Sequence, residues 1–250
     1  MATYSVFLHS TGTGPGLWRN VPPHALGASR PWHPANLGYP PLPALPRGQP
    51  VTADDDAAHL ARTLPRDATA LRLYAHSYGG LVALKLARML TIPLESLFLV
   101  EPVLFGALRR ELAHHPAAAR EVEDFAAHPW FLHDDARGGT AAWLEVFIDY
   151  WNRPGSWSRL PPALREAQLA LGWKMYQEVR SCFLDPADFA AWRVPMPLTL
   201  AVGERTTAAA KAMVAALAAV NPHARVVQLA GVGHMAIVQR PEVVFAAMTA

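Results

Sequence analysis

The chain of 250 residues is poor in cysteine and in lysine, and each shortage excludes a class of protein. Cys182 is the only cysteine, which excludes an intrachain disulfide and a metal cluster held by several thiolates. Lysine occurs only at Lys85, Lys174 and Lys211, and no run of basic residues forms a patch of the kind that binds nucleic acid. The net charge of +2 implies no polyanionic partner, so we expect no nucleic-acid binding.

Long hydrophobic runs are also missing. No stretch reaches the roughly 18 consecutive apolar residues that a membrane-spanning helix needs, so we expect no membrane partner. The first three residues lack the basic region of a signal peptide, and the apolar run 6–8 is too short for one. A single cysteine fits a reducing compartment, and we therefore expect a cytoplasmic location.

What the chain has is enough apolar mass for a large core. It is 52% hydrophobic and 17% charged, which fits one α/β domain with an inserted lobe. Residues 52–55 have the pattern of a capping box, with Asp in place of Glu, and predict the start of a helix. Strands are predicted over 4–8, 32–36, 71–75, 96–100, 198–202 and 225–229.

Helical patterns separate most of these strands, and this alternation is typical of a parallel sheet with right-handed crossovers. Residues 106–193 interrupt the alternation because their patterns are helical and include six of the eight tryptophans. We predict a core of residues 1–105 and 194–250, with 106–193 as a helical cap inserted in it.

The most informative segment is 71–84, Leu-Arg-Leu-Tyr-Ala-His-Ser-Tyr-Gly-Gly-Leu-Val-Ala-Leu. An apolar run leads to Ser77, and two glycines and an apolar helical pattern follow. This order predicts strand, sharp turn and helix with Ser77 at the apex, which is the nucleophile elbow. Ala75 stands where glycine is usual. A short motif also occurs by chance, so the interpretation depends on partner residues elsewhere in the chain.

A serine hydroxyl needs a base, an acid that orients the base, and donors for the developing oxyanion. Ser77, Glu101, Glu204 and His234 each follow the end of a predicted strand. Groups at the carboxyl ends of parallel strands gather in one crevice. Their order along the chain, serine then acid then histidine, is that of the α/β-hydrolases.

Over nearly its whole length the chain resembles the α/β-hydrolase superfamily in its capped single-domain form. The segments that carry the resemblance are His9 with the following Gly-rich loop and Trp18, Asn36-Leu37-Gly38-Tyr39, His76-Ser77-Tyr78-Gly79-Gly80, Glu101-Pro102, Gly203-Glu204 and Gly233-His234-Met235. The resemblance implies an α/β fold whose mainly parallel central sheet is flanked by helices, with a helical cap. It also implies Ser77 as nucleophile, His234 as general base, and the backbone N–H groups of Tyr78 and Thr11 as the oxyanion hole.

The acid is less clearly indicated. Members of the superfamily commonly carry Asp two or three residues beyond the position of Glu204, where this chain has Thr206 and Thr207. Other members, including haloalkane dehalogenases, place the acid at the end of the preceding strand, where Glu101 lies. We predict Glu101 as the acid, with Glu204 as the alternative and an incomplete triad as a third interpretation.

These residues predict a serine hydrolase, similar to carboxylesterases, that cleaves an ester, thioester or lactone of a small apolar molecule. We expect no cofactor and no metal, since the histidines and aspartates at 114–135 match no zinc-site spacing. Trp143, Phe147 and Trp151 are predicted to line the substrate pocket, although the cap tryptophans could instead form the cap's own core. The alternatives are a lyase or cofactor-free perhydrolase on the same fold, and a non-catalytic ligand receptor. The sequence leaves open whether two copies of the chain form a homodimer.

Overall fold

Six strands form one parallel sheet in a computed structural model that describes residues 1–249. The order across the sheet is β2-β1-β3-β4-β5-β6, and every neighbouring pair is parallel. The strands are β1 (Ala2–Leu8), β2 (Arg30–Trp32), β3 (Ala68–His76), β4 (Leu94–Val100), β5 (Leu198–Gly203) and β6 (Arg225–Leu229). The predicted α/β fold with a mainly parallel central sheet is confirmed.

Helices flank this sheet and cover its carboxyl end. They are α1 (Ala53–Thr63), α2 (Tyr78–Met89), α3 (Phe105–Leu108), α4 (Pro116–Ala126), α5 (Ala141–Trp151), α6 (Ser156–Arg159), α7 (Pro162–Leu184), α8 (Ala208–Val220), α9 (Ala236–Gln239) and α10 (Pro241–Thr249). None of the helices within residues 1–249 combines the length and the apolar character required to cross a membrane.

Helix α1 begins where the capping box was predicted. The Thr52 hydroxyl accepts the N–H of Asp55 at 3.3 Å, and the Asp55 carboxylate accepts the N–H of Thr52 at 2.8 Å. Two backbone donors that the helix itself cannot satisfy are thereby paired.

The second strand lies earlier than its prediction. It was expected over 32–36 and spans Arg30–Trp32, so only Trp32 is common to both. Pro34 has no N–H to donate to a sheet ladder, and the N–H of Asn36 donates to the ring of His9 instead. The chain therefore leaves the sheet after Trp32 and turns toward the loop that follows β1.

The helices between β4 and β5 pack over the carboxyl end of the sheet. The apolar core continues without a break from Leu73 of β3 to Trp143 of α5. Phe105 stacks on Phe183 of the long helix α7, with 4.2 Å between ring centroids. We call residues 106–193 the cap segment, because side chains from it, including Phe147 and Trp151, line the space beside Ser77 at the end of β3.

The strand order reverses beside β1. The chain passes from β1 out to the edge strand β2 and then returns to β3 on the other side of β1. Loops that leave neighbouring strands in opposite directions open a crevice, which is the usual ligand site of such sheets. The loop after β1 carries Thr11 and the turn after β3 carries Ser77, so both lie at this crevice.

Candidate active site

Ser77 occupies the turn between β3 and α2 in a backbone conformation that L-residues rarely adopt. Its φ is 57°, and the only other non-glycine residue within 1–249 with positive φ is Glu101, at 44°. The N–H of Ser77 donates to Val100 O at 3.0 Å, and its carbonyl accepts the N–H of Gly80 at 2.8 Å. Strained backbone of this kind persists where surrounding bonds hold it, and it is concentrated at functional sites.

Gly79 lets helix α2 start directly against the end of β1. A Cβ at this position would lie 2.6 Å from His9 O and 2.8 Å from Leu8 O, closer than side-chain carbons come to backbone oxygens. A Cβ on Gly80 would lie 2.5 Å from the Cβ of Pro102. Gly79 therefore allows the end of β1 and the loop after it to lie against the start of α2, and Gly80 does the same for Pro102 after β4.

A chain of hydrogen bonds joins three of the predicted site residues. Nε2 of His234 lies 3.0 Å from Oγ of Ser77, and Nδ1 lies 2.6 Å from Oε2 of Glu101. All three side chains are buried. An ionised carboxylate only accepts hydrogen bonds, so Nδ1 carries the proton and Nε2 is free to accept the Ser77 hydroxyl.

Glu101 is held by two further donors. Its Oε1 accepts the N–H of Gly203 at 2.7 Å, and its Oε2 accepts the Thr206 hydroxyl at 2.7 Å. Burial works to raise the pKa of Glu101, but the bonds from His234, Thr206 and Gly203 together hold it below its ordinary value. The carboxylate beside His234 is therefore charged at neutral pH.

The alternative acid, Glu204, points away from His234. It is exposed, and its Oε2 accepts the N–H of Gly231 at 2.7 Å. Its own N–H donates to Leu229 O at 2.9 Å, which continues the pairing of β5 with β6. Of the two glutamates, the structure therefore brings only Glu101 to the histidine.

Sequence reasoning missed two contacts of this arrangement, those of Thr206 and Trp151, whereas a backbone bond from His76 near the site was expected. Thr206 stands where the family resemblance leads one to expect an aspartate, and its hydroxyl donates to Glu101, the glutamate that lies beside His234. Trp151 stacks on the His234 ring, with centroids 3.8 Å apart and planes at 23°. Nε2 of His76 donates to the His234 carbonyl at 2.8 Å. The sequence feature that pointed to the Thr206 bond was the pair of adjacent threonines at 206 and 207.

Two buried histidines beside the site are kept neutral. Burial lowers the pKa of His76 to about 3 and that of His9 to about 4. Nε2 of His9 accepts the N–H of Asn36 at 3.1 Å, so its proton lies on Nδ1, which faces Ser10 O at 3.0 Å. A charged His9 would direct a second N–H at the Asn36 N–H and lose that bond.

The predicted oxyanion donors lie beside Ser77. Thr11, Ser77 and Tyr78 line one narrow apolar space of about 10 Å³ that reaches toward Val179 and Cys182. Tyr78 is the first residue of α2, and the first N–H groups of a helix have no partner within it. Together with the helix dipole, these free donors favour negative charge at the turn.

A larger cavity of about 270 Å³ opens above Ser77 and His234. Its wall is mostly apolar and comes from the cap segment, the loop after β1 and the turn after His234. The cap side chains that line it are Phe147, Ile148, Trp151, Asn152, Leu160, Leu164, Gln168 and Met175.

Two of the three predicted pocket residues, Phe147 and Trp151, are in this wall, and the prediction for Trp143 needs correction. Trp143 is fully buried in the cap's own core, where it stacks between Phe131 and Phe147. Its Nε1 donates to Phe131 O at 2.9 Å, so the indole has no polar edge left for a ligand.

A buried polar network connects the cap segment to the elbow. Asp56 accepts the Tyr78 hydroxyl at 2.6 Å and the Lys174 ammonium at 2.5 Å. Lys174 also lies 3.4 Å from Glu178, one turn further along α7. Burial raises the pKa of Glu178 to about 7, against the lowering effect of Lys174.

The same network reaches the loop that follows β1. The Tyr39 hydroxyl donates to Glu178 at 2.9 Å and accepts the N–H of Gly12 at 2.7 Å. Gln168 of α7 donates to Gly12 O at 2.9 Å, so α7 bonds one backbone group of Gly12 directly and reaches the other through Tyr39 and Glu178. The position of Thr11 therefore depends on the cap.

Within residues 1–249, no group of three or more histidine, cysteine, aspartate and glutamate side chains is arranged to hold a metal ion. Cys182 is buried, and burial raises the pKa of its thiol well above the ordinary value. It therefore carries no thiolate at neutral pH.

Solved structures with the same architecture cover almost all of the chain. A hydrolase from Pseudomonas aeruginosa PA01 is 20% identical, with a TM-score of 0.69 over 98% of this chain and 88% of its own. An enol-lactonase from Burkholderia xenovorans LB400 is 18% identical, with a TM-score of 0.68 over 100% and 90%. A thermophilic esterase from Thermogutta terrifontis is 17% identical, with a TM-score of 0.66 over 100% and 88%.

At this level of identity these structures establish the fold alone. No curated protein matches the sequence. A family model described as "Alpha/beta hydrolase family" matches residues 6–247, which is nearly the whole chain. The chain therefore belongs to the α/β hydrolase family, as its resemblance implied.

Proposed function

We propose that the chain is a serine hydrolase that cleaves an ester, thioester or lactone of a small, largely apolar molecule. The observation that carries the proposal is the continuous chain of hydrogen bonds from Glu101 through His234 to Ser77. Its lengths of 2.6 and 3.0 Å lie within the range for a base that takes a proton from a nucleophile.

In the first half-reaction, the Ser77 oxygen attacks the substrate carbonyl carbon and its proton passes to Nε2 of His234. The charged Glu101 stabilises the imidazolium that forms, without taking the proton itself. The tetrahedral intermediate then collapses, the bond to the leaving group breaks, and His234 returns the proton to the leaving oxygen or sulfur. The acyl group remains on Ser77.

In the second half-reaction, His234 takes a proton from water, and the resulting nucleophile attacks the acyl-serine. The free acid leaves and Ser77 regains its proton. In both steps the N–H groups of Tyr78 and Thr11 would bind the oxyanion. Donors fixed in advance are usually the largest single contribution to such catalysis.

The shape of the site supports a substrate with one small and one larger part. The space of about 10 Å³ beside Thr11 and Tyr78 admits little, whereas the cavity above Ser77 offers about 270 Å³. Its mostly apolar wall fits an apolar ligand. Among the structural relatives, one is named a lactonase and another an esterase, so both substrate types occur on this fold.

Covalent labelling tests the nucleophile directly. A fluorophosphonate requires an activated hydroxyl, so we expect a single adduct on the peptide that contains Ser77. Ser10 lines the same cavity without a histidine partner and provides the matched control. Ser77→Ala should abolish labelling and Ser10→Ala should retain it. An adduct elsewhere, or none on folded protein, would contradict the proposal.

Turnover separates the proposed reaction from its alternatives. A panel of short-chain esters, thioesters and lactones run in ¹⁸O-water should give acid products that carry the label. A lyase would release products without ¹⁸O, a perhydrolase would need peroxide, and a receptor would bind without turnover. Any activity that survives Ser77→Ala unchanged would rule out the proposed mechanism.

A further inference from the structure

A second cavity, larger than the substrate cavity, lies on the other side of Trp151. Its volume is about 670 Å³, and it is lined by the end of α5, the α6 region, and the loops after β5 and β6. No aspartate or glutamate is among its lining residues. Four arginines line it: Arg153, Arg159, Arg205 and Arg240. Their combined charge of +4 exceeds the net charge of +2 of the whole chain, so the remaining residues together carry a net negative charge.

The carboxylates nearest in sequence to this wall are already occupied by backbone donors. Asp149 accepts the N–H groups of Gly155 and Trp157 at 2.6 and 2.8 Å. Glu204 accepts the N–H of Gly231 at 2.7 Å. Neither forms an ion pair with an arginine of the cavity, so neither occupies the guanidinium donors there.

The four guanidinium groups differ in how far they are engaged. Arg240 pairs with the exposed Glu242, and Arg159 donates to Pro154 O at 2.9 Å. Among residues 1–249, none forms an ion pair with Arg153 or Arg205. These two arginines therefore have donors free for an anion.

The arginine cavity and the substrate cavity share one wall. The residues that line both are Ile148, Trp151, Asn152, Leu160, His234, Met235 and Gln239. Because the two cavities adjoin along this mixed wall, a ligand whose carbonyl lies at Ser77 can extend past Trp151 and Leu160 and end among the arginines. Guanidinium groups suit such an end because their planar N–H forks pair with both oxygens of a carboxylate or phosphate.

We propose that the arginine cavity binds an anionic group, a carboxylate or a phosphate, on the part of the substrate remote from the cleaved bond. This inference rests on the proposed hydrolase function and adds a substrate class to it. The substrate is then apolar between its carbonyl and a charged end, rather than apolar throughout.

Matched esters test the proposal. The carboxylate probe is 4-nitrophenyl hydrogen adipate, compared with 4-nitrophenyl methyl adipate. The phosphate probe is 4-acetoxybutyl phosphate, compared with the methyl ether of 4-acetoxybutanol. Wild-type protein should prefer at least one anionic probe by about tenfold or more in kcat/KM, and rising salt should reduce that preference. The anionic probe that is preferred shows whether the cavity binds a carboxylate or a phosphate.

Variants of the two unpaired arginines locate the effect. The double variant Arg153→Gln/Arg205→Gln should lose about 10- to 100-fold in kcat/KM toward the preferred anion, since bonds to charged groups carry most of such a preference. Neutral esters should change less than about twofold. The double control Arg62→Gln/Arg120→Gln removes the same two charges from exposed positions on α1 and α4, outside this cavity, and should alter the rates on neither class of ester. Equal kcat/KM on each anionic ester and its neutral counterpart would overturn the proposal. Equal losses on the two in the Arg153→Gln/Arg205→Gln variant would overturn it as well.

Binding to Ser77→Ala keeps this test separate from the catalytic one. Calorimetry with 4-nitrophenyl hydrogen adipate and 4-acetoxybutyl phosphate should show binding that the added Arg153→Gln/Arg205→Gln changes weaken. Absence of binding by both probes overturns the anion site, even if Ser77 proves to be the nucleophile. Turnover that survives Ser77→Ala but still depends on the arginines refutes the triad and supports the anion site.

Discussion

Replacing Glu101 by glutamine changes the charge at the centre of the proposed triad while keeping the shape of the side chain. Glu101 accepts three hydrogen bonds, from Gly203 N–H, the Thr206 hydroxyl and His234 Nδ1. A glutamine has only one oxygen, and its nitrogen can only donate. The amide must therefore leave one side of this buried position mismatched.

In the first orientation, the amide oxygen keeps the Gly203 bond and the NH₂ group faces His234. Nδ1 must then accept, so the ring proton moves to Nε2 and points at Ser77. The base is held in the wrong tautomer, an error that costs about 10⁴-fold in turnover in serine proteases.

In the second orientation, the oxygen faces His234 and the NH₂ group meets the Gly203 N–H. A buried N–H then loses its acceptor, at a cost of about 1–3 kcal/mol. The histidine keeps its tautomer but loses the negative charge that stabilises its imidazolium. We therefore expect Glu101→Gln to lose at least about a hundredfold in kcat, between the results of the two orientations.

The measurement is kcat on a reactive ester at pH 8, with Glu204→Gln as the matched control. Glu204 is exposed and bonds only the Gly231 N–H through its side chain, so its glutamine variant should lose less than about tenfold. The melting temperature of each variant shows that it is folded. Equal small losses for both variants, or a larger loss for Glu204→Gln, would refute the assignment of the acid.

Three further predictions concern the surroundings of the triad. The pKa values of His9 and His76, about 4 and 3, lie below the unfolded value of 6.5, so their contribution to stability is complete above pH 6.5 and is lost as pH falls toward 4 and 3. The free energy of unfolding, measured in urea, should therefore fall steeply below pH 6.5, by on the order of 3 kcal/mol for His9 and about 5 kcal/mol for His76, and His76→Gln should make the slope shallower. A slope that His76→Gln leaves unchanged would contradict this. Trp151→Ala should alter the preference among ester chain lengths and lower kcat, because its ring stacks on that of His234, the proposed base. Trp143→Ala should cost about 3–5 kcal/mol of stability and leave the preference unchanged. The reverse pattern would mean that the positions of the two tryptophans are misassigned. Tyr39→Phe removes the hydroxyl that joins the loop after β1 to α7. We expect a loss of about 1–3 kcal/mol in stability and a fall in kcat with little change in KM. An unchanged kcat would show that the loop is positioned without this bond.

The central strands could be predicted because parallel strands are buried on both faces. Their apolar runs are therefore continuous and stand out from the helices between them. β3, which leads to Ser77, shows this well. The edge strand β2 is only three residues long, Arg30–Trp32, and its composition does not differ from the proline-rich segment around it. Its extent depends on pairing with β1, which no local pattern reveals.

The preference for Glu101 over Glu204 came from the family resemblance and not from the strand pattern, because each glutamate follows the end of a strand. Their difference is one of backbone conformation. Glu101 has a φ of 44°, which accompanies a turn of the chain into the crevice beside His234. Glu204 continues the ladder to β6 and bonds the turn at Gly231 instead. Identical side chains at equivalent positions thus come to different environments through one dihedral angle and one strand pairing.

The two tryptophans of α5 differ for a related reason. Helical periodicity indicates that both Trp143 and Trp151 are buried, and both are. They lie eight residues apart, which is about 12 Å along a helix axis. This distance carries the chain from the centre of the cap to the space above His234. Which tryptophan meets the ligand therefore depends on where the helix ends relative to the sheet, and its amphipathic pattern holds no information on that.

The arginine cavity and the shifted acid have the same origin in tertiary structure. Arg153 and Arg205 are 52 positions apart in the sequence, one before β5 and the other after it, so no local charge run indicates a basic site. In the same way, the absence of an aspartate near position 206 suggests a weakened triad if that segment is considered alone. In the fold, Thr206 instead donates to the glutamate that β4 delivers, and Arg205 beside it turns to the adjoining cavity. The loop after β5 thus gives up the charge of the acid and supplies a hydrogen bond to its replacement. Arg205 of the same loop lines the space where we propose that a substrate anion binds.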